Sequence, residues 1–138
     1  MSYAGDITPT EAFEWLREVP GATLVDVRSQ VELAFVGLPD LGVIGKDVIR
    51  VEWQQFPDGT VNDQFVEDLA SAGLDQADPV LFLCRSGARS ATAAGVASRA
   101  GYRQAYNVAE GFEGPLDVSG HRGTTGGWKA AGLPWRQS

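Results

Sequence analysis

Apolar residues along this chain fall into short unbroken runs alternating with runs spaced three or four apart. That alternation predicts a parallel α/β fold. Thr8-Pro9-Thr10-Glu11 predicts a helix start: Thr8 is placed to accept from the first turn, Pro9 suits the first helical position, and Glu11 completes a capping box. Phe13 and Leu16 give that helix an apolar face to about residue 18, and Pro20-Gly21 ends it. Residues 22–27, Ala-Thr-Leu-Val-Asp-Val, predict a buried strand. Residues 37–45 are rich in glycine and proline and predict a loop, and residues 47–51 predict the next strand. Pro57-Asp58-Gly59 is a turn signal. Asn62 is expected to cap a helix to about Ala72, with Phe65, Val66 and Leu69 on one face and Gly73 after it. Pro79-Val80-Leu81-Phe82-Leu83 is the clearest strand, and it runs directly into Cys84. An alanine-rich helix over 88–100 is followed by Gly101, then by a weaker strand over 105–108. A short helix is expected at Trp128-Lys129-Ala130-Ala131.

Length and composition narrow the picture. With 138 residues and 43% hydrophobic content, the chain fits one domain with one core, spanning 1–138. No apolar run approaches the ~20 residues needed to span a bilayer. Residues 1–9 lack the basic-then-apolar pattern of a signal peptide, so a cytoplasmic location is expected. The net charge is −7, from 11 Lys+Arg against 18 Asp+Glu. An acidic surface repels phosphate backbones and anionic lipid, so neither nucleic acid nor membrane is expected as a partner. Cys84 is the only cysteine, which excludes an intrachain disulfide. His121 is the only histidine, so a histidine metal cluster is excluded and a Cys-His zinc site lacks ligands.

Candidate chemistry gathers in Cys84-Arg85-Ser86-Gly87-Ala88-Arg89-Ser90. A hydrophobic strand ends just before this segment and a helix begins within it. Cys84 is therefore expected at the C-terminal edge of a parallel sheet beside a helix N-terminus, where open α/β sheets bind ligands. Unpartnered N–H groups, a turn permitted by Gly87, the helix dipole and the charges of Arg85 and Arg89 all favour a thiolate, the nucleophilic form of cysteine. A cysteine can also end a buried strand as a small hydrophobe. A following arginine, a glycine turn and a second arginine are hard to bury, which argues for the reactive reading.

The loop resembles the active-site loop of rhodanese-like sulfurtransferases, which begins with Cys and commonly ends with Arg. Asp26-Val27-Arg28 after a strand is similar to that family's Asp-Val-Arg segment, and Glu32 follows it as an acidic residue often does there. The segment from Gly127-Trp128 to Ala131-Gly132-Leu133-Pro134 is similar to the family's C-terminal tryptophan helix and ending. The resemblance implies a five-stranded parallel sheet with helices on both faces. It also implies that Cys84 takes the sulfane sulfur of a small-molecule donor such as thiosulfate, becomes a persulfide and passes the sulfur to a thiophilic acceptor. Loop N–H groups from Arg85 to Ser90 would cradle the outer sulfur, Asp26 and Arg28 would support the loop, and no metal or organic cofactor is implied.

Three alternatives accompany that reading. Related phosphatases place Arg six positions after Cys, whereas Arg89 stands five after Cys84 and Ser90 takes the sixth position, which suits a smaller pocket than phosphate or arsenate needs. Some domains of this fold have lost the cysteine and serve as binding modules in signalling or scaffolding, and the presence of Cys84 argues against a regulatory binding module here. A persulfide carrier acting with a protein partner is left open, as is the choice between Arg85 and Arg89 as the anion contact.

Two departures from the family pattern stand out. Phe35-Val36-Gly37-Leu38-Pro39-Asp40 replaces the usual Gly-His-Ile and Pro-Gly-Ala turn. An insertion over 113–126, containing Asp117, His121 and Arg122, separates Gly111-Phe112 from the tryptophan helix. Its position predicts a rim or lid on the Cys84 face that shapes donor or acceptor choice.

Overall fold

A computed structural model describes residues 3–55 and 57–137. Five strands form one all-parallel sheet: β1 (Gly5–Ile7), β2 (Thr23–Asp26), β4 (Ile49–Arg50), β7 (Pro79–Leu83) and β8 (Gln104–Val108), in the order β1-β8-β7-β2-β4. The period-two alternation of β7 divides the interior. Val80, Phe82 and Cys84 face one side with Phe65 and Leu69 of α3 (Phe65–Ser71) and Ala93, Ala94 and Ala97 of α4 (Ala88–Arg99). Leu81 and Leu83 face the other side with Ala12 and Leu16 of α1 (Pro9–Glu18) and Trp128 of α5 (Gly127–Ala130). The sheet thus carries helices on both faces, as the resemblance implies. Alanines on the inner face of α4 let the helix that follows the cysteine lie close to the sheet.

The capping box at Thr8 and Glu11 forms as expected. Trp128 is fully buried, donates its indole N–H to Pro134 O at 2.7 Å and meets Phe13 edge-on. It pins the tail to α1.

Several elements differ from the pattern-based expectation. Strand β1 and helix α2 (Gln30–Val36) have no counterpart in the apolar pattern. Gly5–Ile7 contains a single large apolar residue and becomes a strand by pairing with β8. Helix α2 exposes Phe35 and buries only Leu33, so its periodicity is faint. It is started instead by a second capping box between Ser29 and Glu32. Asn62 does not cap α3: the helix begins at Phe65 after Gln64, and Asn62 turns the chain two residues earlier by accepting from Gln64 N–H. The expected loop over 37–45 includes a short strand, β3 (Leu38–Pro39), and a 3₁₀ turn over Gly42–Ile44. Strand β3 pairs with β9 (Trp135–Arg136) and ties the tail down. The turn at Pro57-Asp58-Gly59 lies in a hairpin between β5 (Gln54–Gln55) and β6 (Thr60–Val61). Among the described residues no helix is long and apolar enough to cross a membrane.

Candidate active site

Strand β7 delivers Cys84 to the C-terminal edge of the sheet, and the segment after β8 straps the next residues in place. Phe112 N–H donates to Cys84 O at 2.8 Å, and Glu113 and Gly114 N–H donate to Arg85 O at 2.9 and 3.2 Å. Gly111 makes this approach sterically feasible. It has φ +63°, and a Cβ there would collide with Cys84 O and the Arg85 carbonyl group. The loop then turns at Gly87, with φ +111°, and α4 starts at the next residue.

Among the described residues, two groups reach Cys84 Sγ. Gly87 N–H donates at 3.1 Å, and Ser90 Oγ also lies 3.1 Å away. Cys84 is only 1% exposed. The sequence argument that such a loop is hard to bury therefore fails for the thiol itself. Arg85 stays outward and Arg89 pairs with Glu32, while Cys84 packs with the Val80 and Phe82 side of the core. Arg85, Ser86 and Ala88 are exposed, Gly87 and Arg89 are half-buried, and Ser90 is buried.

The two loop arginines have different surroundings. Arg89 is bound bidentately to Glu32, with Nη1–Oε1 2.6 Å and Nη2–Oε2 2.8 Å. Burial pushes the Glu32 carboxyl up. The bonds and charge of Arg89 outweigh it, with help from the Ser29 N–H and hydroxyl, and bring it down to about 2. Arg89 is raised in return, first by its bonds to Glu32. Its terminal nitrogens are thus committed to α2, whereas the Arg85 side chain faces solvent. A cavity of about 130 Å³, lined by Ser29, Glu32, Gln54, Gln55 and Arg89 among others, opens beside this pair.

Asp26 and Arg28 form a fully buried pair, with Nη2–Oδ2 2.7 Å and Nε–Oδ1 2.9 Å. Asp26 also accepts from the Arg28 backbone N–H, and Arg28 donates to Gly37 O. Arg28 Cζ lies 4.4 Å above the Phe112 ring. The pair therefore joins β2, the end of α2 and the residue strapping Cys84. Removing one partner would leave an uncompensated buried charge, costing about 3–5 kcal/mol.

Asn107 and Asp6 are linked to Ser90 by hydrogen bonds but escape the motif reading. Ser90 Oγ lies 2.5 Å from Asn107 Oδ1, and Asn107 Nδ2 donates to Asp6 Oδ1 at 2.9 Å. The available signal was an asparagine between Tyr106 and Val108 in the last strand, since a buried amide demands partners.

The 113–126 insertion is rooted on the Cys84 loop through Arg85 O. Asp117 organises it by accepting from Ser119 N–H, His121 N–H and the Thr124 hydroxyl. His121, Leu116 and Val118 are exposed. Its ends close on each other: a Cβ on Gly114 would fall 3.1 Å from Gly126 Cα. Among the described residues no group of three or more His, Cys, Asp or Glu is gathered to hold a metal ion.

Comparison with known proteins extends this picture. The family model of the STR4 middle domain matches residues 4–138. Protein RC0915 of Rickettsia conorii is 36% identical over 132 residues, covering 95% of this chain and 96% of that protein. The crystal structure of Rv0390 from M. tuberculosis superposes with a TM-score of 0.92 at 55% identity, covering 99% of this chain and 100% of that one. The polysulfide-sulfur transferase homodimer of Wolinella succinogenes gives a TM-score of 0.66 at 27% identity, covering 96% of this chain and 78% of that one. A rhodanese-like domain from Anabaena shares the fold at 17% identity, with a TM-score of 0.55 and coverage of 100% and 81%. The five-stranded parallel sheet with helices on both faces agrees with these matches, and the chain belongs to the STR4 middle domain family, with a rhodanese-like fold.

Proposed function

We propose that this protein is a sulfurtransferase that carries sulfur as a persulfide on Cys84. The observation that carries the reading is the setting of Sγ, at the end of β7 in a tight loop that offers it the Gly87 N–H at 3.1 Å. The Cys84 thiolate attacks the outer sulfur of a donor such as thiosulfate. A new S–S bond forms to Cys84, the donor's S–S bond breaks, and its electron pair leaves on sulfite. The product anion has its charge on the outer sulfur, one atom beyond Sγ, where loop N–H groups from Arg85 to Ser90 stabilise it. A thiophilic acceptor then attacks that outer sulfur and restores the Cys84 thiolate. No metal or organic cofactor enters either step.

Arg85 is the loop arginine assigned to meet an anionic donor, because Arg89 is held by Glu32. Asp26 and Arg28 act as support for the strap over the loop. A protein acceptor, with this chain as a persulfide carrier, uses the same Cys84 chemistry.

Intact-mass measurement after incubation with thiosulfate tests the reading, beside a Cys84→Ser control. Gain of one sulfur by the wild type alone, reversed by cyanide, is expected. If neither thiosulfate nor a low-molecular-weight persulfide loads Cys84, the assignment is wrong.

A further inference from the structure

Ser90 has one hydroxyl proton and three acceptors around it: Asn107 Oδ1 at 2.5 Å, Cys84 Sγ at 3.1 Å and Gly87 O at 3.3 Å. Which acceptor takes the proton is decided two residues away. The Asp6 carboxylate only accepts, so the Asn107 amide must turn its Nδ2 toward Asp6, where it donates at 2.9 Å. That orientation leaves Asn107 Oδ1, an acceptor only, facing Ser90. Asn107 is 5% exposed and Ser90 fully buried, so an unmet Oδ1 would carry a desolvation cost. The Ser90 proton therefore goes to Asn107, and Ser90 presents a lone pair to Cys84. Tyr3 anchors the outer end of the chain by donating its hydroxyl to Asp6 at 2.8 Å, and this bond raises the Tyr3 phenol above its ordinary range.

We propose that Asp6, acting through Asn107, fixes the direction of the Ser90 hydroxyl and so fits the pocket to the persulfide rather than to the free thiolate. A thiol can donate its S–H to the Ser90 lone pair. A thiolate on Sγ has only Gly87 N–H among the described donors, because Ser90 keeps its proton turned away. Once a second sulfur is attached, Sγ is neutral and needs no donor, while the charge lies one atom further out. Asp6 and Asn107 are positioning residues: neither touches Sγ, and both act through Ser90. The inference deepens the sulfurtransferase reading and rests on it for its meaning.

The other charged groups about the sulfur are paired or outward. Arg89 of α4 is neutralised by Glu32 of α2, and Asp26 of β2 is paired with Arg28. Arg85 of the loop, Glu110 after β8 and His121 of the insertion are exposed. None of them contacts the Ser90 hydroxyl, which leaves Asp6 as the charge that orients it.

The test is the pH profile of Cys84 alkylation by iodoacetamide, which needs no sulfur donor. Asp6→Asn lets both amides turn over, so that Asn107 donates to Ser90 and releases the Ser90 proton toward Sγ. Asn107→Leu removes the competing acceptor outright. Each variant is expected to move the alkylation midpoint to lower pH than in the wild type. The Asp6 site is exposed, so Asp6→Asn reports even where Asn107→Leu fails to fold. A through-space effect of the Asp6 charge is separated by the Ser90→Ala background, in which Asp6→Asn is expected to cause no shift. An unchanged or raised midpoint in Asp6→Asn, or a shift that survives Ser90→Ala, overturns the proposal. Failure of the wild type to take up sulfur from any donor would instead strike the functional reading, while the alkylation profile would still report the wiring.

Discussion

Replacing Glu32 separates the two tasks the residue performs. It binds Arg89 bidentately at 2.6 and 2.8 Å, and it closes the capping box with Ser29 that starts α2. Glu32→Gln keeps a capping side chain but removes the charge, whereas Glu32→Ala removes both. Charge-assisted hydrogen bonds contribute about 1.5–3 kcal/mol. Both side chains are 25% exposed, so solvent screening discounts the pair to about 1–2 kcal/mol. The cap adds about 0.5–1 kcal/mol. At about 3–4 °C per kcal/mol for a chain of this size, Glu32→Gln should lower Tm by roughly 3–8 °C and Glu32→Ala by roughly 5–12 °C. The pH dependence follows from the depressed carboxyl. Glu32 lies near 2 in the folded chain against 4.5 in the unfolded one. Its contribution is therefore complete above the unfolded value and is lost as pH falls toward the folded value. Denaturant melts of wild type and Glu32→Gln from neutral pH downward read this directly. A stability gap that stays constant from about pH 5 down to about pH 2.5 would refute the ion-pair account.

Three further outcomes are expected. Gly111→Ala forces a Cβ against Cys84 O and Arg85 at a positive φ, so it should cost about 2–4 kcal/mol in denaturant melts and slow sulfur uptake by displacing the loop. Arg85→Ala should raise KM for thiosulfate several-fold and flatten its salt dependence, with little change for an uncharged persulfide donor. Equal losses for both donors would remove Arg85 from anion recognition. Excising 115–125 and joining Gly114 to Gly126 should leave Tm within a few degrees, because the ends already meet, while altering donor or acceptor preference. An unchanged preference would deny the insertion a role as rim or lid.

The elements that bury a continuous apolar stripe were legible in the chain itself. Strand β7, helix α4 and the capped start of α1 are determined locally, by a run of large side chains, a run of alanines and a Thr-Pro-Thr-Glu box. The cysteine loop was legible for the same reason, since its residues are contiguous and placed by the strand before it and the helix after it. Strand β1 and helix α2 were not legible, because their stability comes from partners distant in sequence rather than from periodicity. The roles of the two loop arginines were undecidable along the chain. Only the tertiary fold brought Glu32 of α2, 57 residues away, onto Arg89 of α4 and left Arg85 in solvent. Burial of the Cys84 thiol and the Ser90-Asn107-Asp6 chain are likewise products of tertiary structure. The second of these joins two strands and a helix, from β1 through β8 to α4. A hydrogen bond depends on atoms within about 3 Å and on where a single proton points. Spacing along a sequence carries neither, so the chain determined which chemistry was present and the fold decided how it was wired.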